Sequence, residues 1–177
     1  MIHEDYLMRM IMQLITAIRR VYHNPTDLDD FRDDVEQAVG EAVNIDPELF
    51  FSLSPESQVQ MLEMGDTDPK LAKYITNAIF YESKVMEANG YIATSQLRRS
   101  QGIAIAKKYG CDIPSEDISA EGLVQLFLKD PEGLEDEDAE EALREKQAKE
   151  EREAAERNAK QGFSISGIPL DKLKLDL

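Results

Sequence analysis

Few side chains in this sequence have the type and spacing that metal, nucleophilic or redox chemistry requires. The two histidines, His3 and His23, stand at opposite ends of the first predicted helix, too far apart to share a metal ion. Cys111 is the only cysteine, so an intramolecular disulfide and a multi-cysteine metal site are excluded. Nothing near Cys111 in the sequence would activate it, and we predict a partly buried, unreactive thiol.

Carboxylates are abundant, but none is distinguishable as a general acid or base. The acidic run at 130–141 invites comparison with a calcium-binding hand. Leu134, however, stands where the third acidic ligand belongs, and Gly133 comes two positions early. A glycine-rich phosphate loop and the G-x-S-x-G and H-E-x-x-H motifs are missing. We therefore predict no catalytic residue, no metal site and no cofactor, which favours a non-enzymatic protein over an enzyme.

Four basic side chains, Arg98, Arg99, Lys107 and Lys108, fall on one predicted helix in the least acidic part of the chain. The simpler interpretation pairs them with the aspartates of the second helix. The alternative is a clamp for an acidic peptide or a phosphate group. We retain Arg98 and Arg99 as candidate interaction residues.

The composition indicates an acidic, all-α protein. The chain has 177 residues and a formal net charge of -16, with nine Gly and seven Pro, too few for a β-rich chain of many turns. Such a charge repels phosphate backbones and anionic lipid, so we predict neither nucleic acid nor membrane as a partner. His3, Glu4 and Asp5 precede the first apolar run, where a signal peptide carries basic residues. These features predict a cytoplasmic location.

The first helix is unusually apolar. Apolar residues recur at the alternating four-and-three spacing of one helix face, at Leu7, Ile11, Leu14, Ile18 and Val21. Asn24-Pro25 is predicted to end the helix, because proline disfavours helix in the residue before it. So wide an apolar surface belongs at the centre of a helical bundle or in a homodimer interface. We favour the centre, because it needs no second copy.

Several helix starts are encoded locally. Thr26 is the predicted N-cap of the second helix, followed by aspartates in the first turn. Thr94 or Ser95 is expected to begin a later helix, and Ser119 to cap the last one. Three further starts combine an acceptor side chain with proline at the first helical position: Asp46-Pro47, Ser54-Pro55 and Asp68-Pro69.

Three glycines are predicted to stop helices. Gly65 is expected to close the helix that begins at Ser54, in the left-handed conformation. Gly90 and Gly110 are the expected stops of the next two helices. The helix between Asp68 and Gly90 is predicted to turn one apolar row inward, namely Leu71, Ile75, Ala78, Ile79, Val85 and Met86.

The last part of the chain differs in composition. We divide the sequence into a helical domain at 1–130, a charged helical arm or linker at 131–161 and an apolar tail at 162–177. Pairs of opposite charge four residues apart support a helical arm, each by about 0.2–0.5 kcal/mol. The tail either folds back on the helical domain, which intramolecular docking favours, or is offered in extended form to another chain. Its candidate contact residues are Phe163, Ile165, Ile168 and Leu170.

Two resemblances bear on the fold. With Gly90 as the turn, Ser83, Ser95 and Gly102 show separations that resemble a tetratricopeptide repeat over 76–109. Glu82 and Arg99 depart from that pattern, and a generic antiparallel hairpin is the favoured alternative. The opening D-Y-L-M-R-M-I, residues 5–11, resembles a family of bacterial helical proteins to which no activity is assigned. That resemblance implies an all-helical fold and no catalytic residues.

We therefore expect an antiparallel array of six or seven helices over 1–130, with the first helix near its middle. The leading hypothesis for function is a non-enzymatic protein-interaction module. A self-assembling structural protein is the second hypothesis. The third is an enzyme or small-molecule binder with a site made of dispersed residues, around Tyr74, Tyr81, Arg98 and Arg99.

Overall fold

A computed structural model describes residues 2–24, 27–128, 148–149 and 151–157. The regular secondary structure of these residues is entirely helical, which confirms the all-α prediction.

Contacts divide the chain into two units, Met1–Asp130 and Pro131–Leu177. In the second unit the described residues are helical and exposed, and Arg157 Nε donates to the backbone carbonyl of Glu153 at 3.2 Å. The tail lies outside the described residues, as does at least one member of each of the other predicted charge pairs, Glu140/Arg144, Glu145/Lys149 and Glu156/Lys160.

Seven helices make up the described part of the first unit. They are α1 (Ile2–His23), α2 (Leu28–Val43), α3 (Pro47–Ser52), α4 (Pro55–Met64), α5 (Pro69–Ala88), α6 (Ile92–Tyr109) and α7 (Ala120–Leu128).

Most of the predicted helix starts are confirmed. Asp46, Ser54 and Asp68 each accept a hydrogen bond from a backbone N–H of the first turn, with proline following. Ser119 caps α7 through a hydrogen bond from the Gly122 N–H at 3.0 Å. The prediction of Thr26 as the cap of α2 is wrong, because Asp27 has this role and accepts from the Asp30 N–H at 3.0 Å.

The start of α6 also differs from the prediction. The helix begins at Ile92, ahead of Thr94 and Ser95, and Tyr91 at its N-cap makes no side-chain hydrogen bond. Gly90 reverses the chain with φ +84°, and the Tyr91 N–H donates to the Met86 carbonyl at 2.9 Å. The tight turn therefore starts the helix without a polar cap.

Helices end at all three predicted glycines, but only two of these have the left-handed conformation. Gly90 and Gly110 have positive φ angles of 84° and 68°, as expected for helix stops. Gly65 has φ -80°, so the prediction that it is left-handed is wrong. Asp66 has φ +50° instead, which is a conformation that aspartate tolerates better than most residues.

The central helix of the unit is α5. It packs against α1, α2, α6 and α7, and its residues are buried on nearly all sides between Leu71 and Met86. The predicted apolar face of α1 is buried as well, but Arg9, Gln13 and Arg20 keep one side of α1 in water. The prediction that placed α1 in the middle is therefore wrong, because α5 has neighbours on more sides.

The α5–α6 hairpin depends on small side chains at its contact. Ser83 Oγ donates to the Ser95 carbonyl at 2.8 Å, and a Cβ at Gly102 would lie 3.0 Å from Phe80 Cε1. These pairs are placed nearly symmetrically about Gly90, as in an antiparallel hairpin. The small residues therefore let the two helices approach closely, while kinship with tetratricopeptide repeats stays a prediction.

A tight corner joins α2 to α3. Asn44 is left-handed with φ 56°, and the Ile45 N–H donates to the Gly40 carbonyl at 3.0 Å. A Cβ at Gly40 would lie 2.8 Å from the Ile45 carbonyl oxygen and 2.9 Å from Pro47 Cβ. Only glycine at this position allows α3 to fold directly against the end of α2.

We expect Gly40→Ala to lower the free energy of unfolding by about 1–3 kcal/mol, because the new methyl group overlaps backbone atoms that side-chain rotation cannot move. This loss must exceed the gain of about 1 kcal/mol in helix propensity. Urea unfolding followed by circular dichroism measures the change. The control is Glu41→Ala, an exposed neighbour on the same helix, with an expected effect within about 0.5 kcal/mol. Equal stability of the two variants would contradict the steric argument.

Candidate functional site

A groove of about 620 Å³ is formed by α2, α3 and α6. The corner at Gly40 fixes its α2–α3 wall, and the α5–α6 hairpin supports the opposite wall. Its lining includes Asp33 and Glu36 from α2, Glu48 and Phe51 from α3, and Leu97 and Arg98 from α6.

Arg98 lies at the floor of the groove between two glutamates. Its Nη2 donates to Glu36 Oε1 at 2.5 Å, and its Nε donates to Glu82 Oε1 at 2.8 Å. The side chains of Arg98, Glu36 and Glu82 are 8%, 14% and 0% exposed. We refer to these three residues as the buried ion cluster.

Neighbouring groups complete the hydrogen bonding of Arg98. Its Nη1 donates to the Phe51 carbonyl at 3.2 Å and to Gln101 Oε1 at 3.1 Å, and the guanidinium carbon lies 4.6 Å from the centre of the Phe51 ring. A guanidinium can stack on an aromatic face while its edge donates hydrogen bonds. Arg98 therefore connects α2, α3 and α5 to its own helix.

Two buried glutamines hold the end of α3. Gln101 Nε2 donates to the carbonyls of Phe51 and Leu53 at 3.2 and 2.9 Å. Gln58 Nε2 donates to the Phe50 carbonyl at 2.9 Å. The last carbonyls of a helix have no intrahelical partner, so these amides satisfy groups that burial would otherwise penalise. They keep this short helix in place as a groove wall.

The buried ion cluster contains two carboxylates for one cation. Burial, with a further contribution from Glu36, raises the pKa of Glu82 to about 8, although Arg98 opposes the shift. The Oε2 atom of Glu82 has no hydrogen-bond partner among the described residues. Both observations favour a neutral Glu82 carboxyl near neutral pH, because an unpartnered buried charge is costly. One carboxylate, that of Glu36, then balances the guanidinium.

The structure separates the two arginines named from the sequence. Arg98 is buried in the cluster, and its partner on α2 is Glu36, where the sequence interpretation expected an aspartate. Arg99 instead lies near the surface, 3.5 Å from a Glu116 oxygen and 5.8 Å from the centre of the Phe80 ring. The two side chains therefore do not face one common ligand.

The other candidates within the described residues also lie apart from the groove. Lys107 is exposed, and Lys108 pairs with Glu63. Tyr74 and Tyr81 are buried on α5, and neither lines the groove. The tail candidates Phe163, Ile165, Ile168 and Leu170 lie outside the described residues.

Cys111 is half-buried, as predicted. Burial raises the pKa of its thiol, although a hydrogen bond with Thr76 acts in the opposite direction.

Among the described residues, no group of acidic, histidine or cysteine side chains could hold a metal ion. No helix in the described part of the chain is long and apolar enough to cross a membrane.

Sequence reasoning missed both glutamates of the buried ion cluster, although one signal was present. Glu82 continues the inward row of α5, four residues after Ala78 and four before Met86. A carboxyl group in an otherwise apolar row requires a buried partner or protonation. That signal indicates burial, but it does not identify Arg98 as the partner.

Comparison of the chain with protein-family models, with curated proteins and with solved structures finds no match. The resemblance of residues 5–11 to a bacterial helical family therefore stays a prediction.

We expect Arg98→Ala to lower the free energy of unfolding by about 3–5 kcal/mol, because it leaves the part-buried carboxylate of Glu36 without its cation and the buried carboxyl of Glu82 without its hydrogen-bond donor. Arg99→Ala is the matched control on the adjacent residue. Its ion pair is exposed on the Glu116 side, so a loss below about 1 kcal/mol is expected. Denaturant unfolding of both variants measures the difference, and similar losses would show that the cluster does not stabilise the fold.

The pKa of Glu82 predicts how stability changes with pH. Because this pKa rises from 4.5 to about 8 on folding, the folded state retains a proton that the unfolded state loses. The stabilisation that protonated Glu82 adds to the free energy of unfolding is fully present below pH 4.5 and is lost as the pH rises toward 8. In Glu82→Gln this part of the pH dependence should disappear. Urea unfolding across this range is the measurement, and Glu87→Gln, an exposed carboxyl on the same helix, should keep the parent slope. A parent-like slope in Glu82→Gln would refute the assignment.

Proposed function

We propose that this chain is a non-enzymatic protein-interaction module whose groove between α2, α3 and α6 receives a segment of another protein. The observation that carries the proposal is an open groove with one exposed apolar side chain above a buried polar floor. Leu97 is 41% exposed in its wall, where a partner's apolar side chain would cover it. Burial of such contacts is the main favourable term in protein association.

Charge indicates what kind of segment would fit. Asp33, Glu36 and Glu48 line the groove, where Glu36 is paired with Arg98, and residues 27–52 contain nine acidic side chains and one basic side chain, Arg32. Arg32 is already paired with Asp33 at 3.3 Å. A segment with basic residues next to apolar ones would complement this surface, because opposite charges steer association and fix register.

The rigidity of the floor supports the same function. Arg98, Gln58 and Gln101 hold the groove walls through buried hydrogen bonds. A surface that is ordered before binding loses less conformational entropy when a partner docks. The groove is therefore suited to binding without rearrangement of its helices.

Site-specific photocrosslinking in bacterial cells tests the proposal. Thr94 lies in the groove lining, and Ser100 lies on an exposed part of the same helix. Each is replaced in turn by a photoreactive phenylalanine analogue. We expect Thr94, but not Ser100, to give a defined covalent adduct with another protein. Adding Leu97→Glu should reduce the adduct at least about tenfold, since anchoring residues dominate binding energy.

Two results would overturn the proposal. The absence of an adduct specific to Thr94 would show that the groove receives no protein. An adduct with the mass of two copies of this chain would favour the self-assembling alternative. Mass spectrometry of the adduct distinguishes the outcomes.

A further inference from the structure

A second cavity, of about 290 Å³, lies among α1, α2, α5 and the start of α7. Its lining contains three aromatic rings, Tyr22, Phe31 and Tyr81, and one carboxylate, Glu121. Pockets for drug-sized ligands usually measure about 300–1,000 Å³. This cavity is at the small end of that range, so it fits a compact headgroup.

Two of the rings meet nearly at right angles. The centres of Phe31 and Tyr81 lie 5.4 Å apart, and their planes cross at 80°. Because the two rings are oriented differently, a group bound beside them can contact the negative π-surface of one ring. Such a surface attracts a cation within about 6 Å.

The charges around the cavity also favour a cation. No lysine or arginine is among the residues that line it, whereas Glu121 is at its edge and is exposed. Leu28 in the lining is flanked in the sequence by Asp27 and Asp29. Burial raises the pKa of Tyr81 to about 12, with smaller contributions from Tyr22 and Glu121, so this phenol stays neutral.

The rest of the lining selects among cations. Val21, Leu28 and Val85 add apolar surface, on which the strongly hydrated ammonium of an unmodified lysine would lose its water. A methylated ammonium has the same charge spread over an apolar surface and suits aromatic and aliphatic walls together. We propose that this cavity binds a quaternary methylammonium group, from a small molecule of the choline type or from a trimethylated lysine side chain.

Nuclear magnetic resonance titration of the full chain tests the charge dependence. The two probes are choline and 3,3-dimethylbutan-1-ol, a neutral molecule of the same shape with carbon in place of nitrogen. We expect choline to bind about tenfold more tightly, with chemical-shift changes centred on Tyr22, Phe31, Tyr81 and Glu121. Equal affinity of the two probes, no binding of choline, or changes centred elsewhere would overturn the proposal.

Two variants test the residues that line the cavity, and a third variant is the control. Glu121→Gln removes the carboxylate at an exposed position, so it should weaken choline binding several-fold without changing the affinity for the neutral probe. Tyr22→Leu, at a half-buried position, should weaken choline binding by a similar factor. Glu56→Gln, an exposed carboxyl on α4 that does not line the cavity, should bind choline as the parent does. Parent-like choline binding by both test variants would refute the assignment.

A third titration identifies the source of the group. If Nα-acetyl-trimethyllysine methylamide binds more tightly than choline, the source of the methylammonium group is a modified protein side chain. The reverse order would indicate a small molecule. Unmodified acetyl-lysine methylamide should bind most weakly, and binding equal to that of the trimethylated form would overturn the selectivity for methylation. None of these results depends on whether the groove receives a protein.

Discussion

The guanidinium of Arg98 joins helices that are distant in the sequence, and the shape of the groove depends on it. Glu36 and Glu82 approach this group from α2 and α5, and the carbonyl and ring of Phe51 approach from α3. In a low-dielectric interior such a cluster is costly unless each member has partners. This requirement restricts α2, α3, α5 and α6 to arrangements in which the donors and acceptors meet.

The central helix α5 serves both candidate sites through adjacent residues. Successive side chains on a helix project about 100° apart, so Tyr81 lines the aromatic cavity while Glu82 supports the groove floor. α2 behaves in the same way, since Phe31 lines the cavity and Arg32 lines the groove. The two sites therefore lie on different sides of shared helices, and their linings share no residue.

The sequence was most informative where structure depends on neighbouring residues. Asp46, Ser54 and Asp68 were predicted as helix starts because a cap and a following proline act within one turn. It was less informative where either of two adjacent residues can take the left-handed conformation after a helix. At Gly65 the adjacent Asp66 has this conformation instead. The candidate sites were predicted least well, because Arg98 was noticed without its buried partners.

By itself, the sequence determined the all-helical class, most helix starts and stops, and the buried face of α1, since these follow from local hydrogen bonding and apolar periodicity. Only the tertiary structure decided that α5 is central, that Glu36, Glu82 and Arg98 meet, and that aromatic residues of α1, α2 and α5 line one cavity. Those outcomes join residues many positions apart, and a repeating pattern of apolar residues marks which side of a helix is buried without specifying what lies against it.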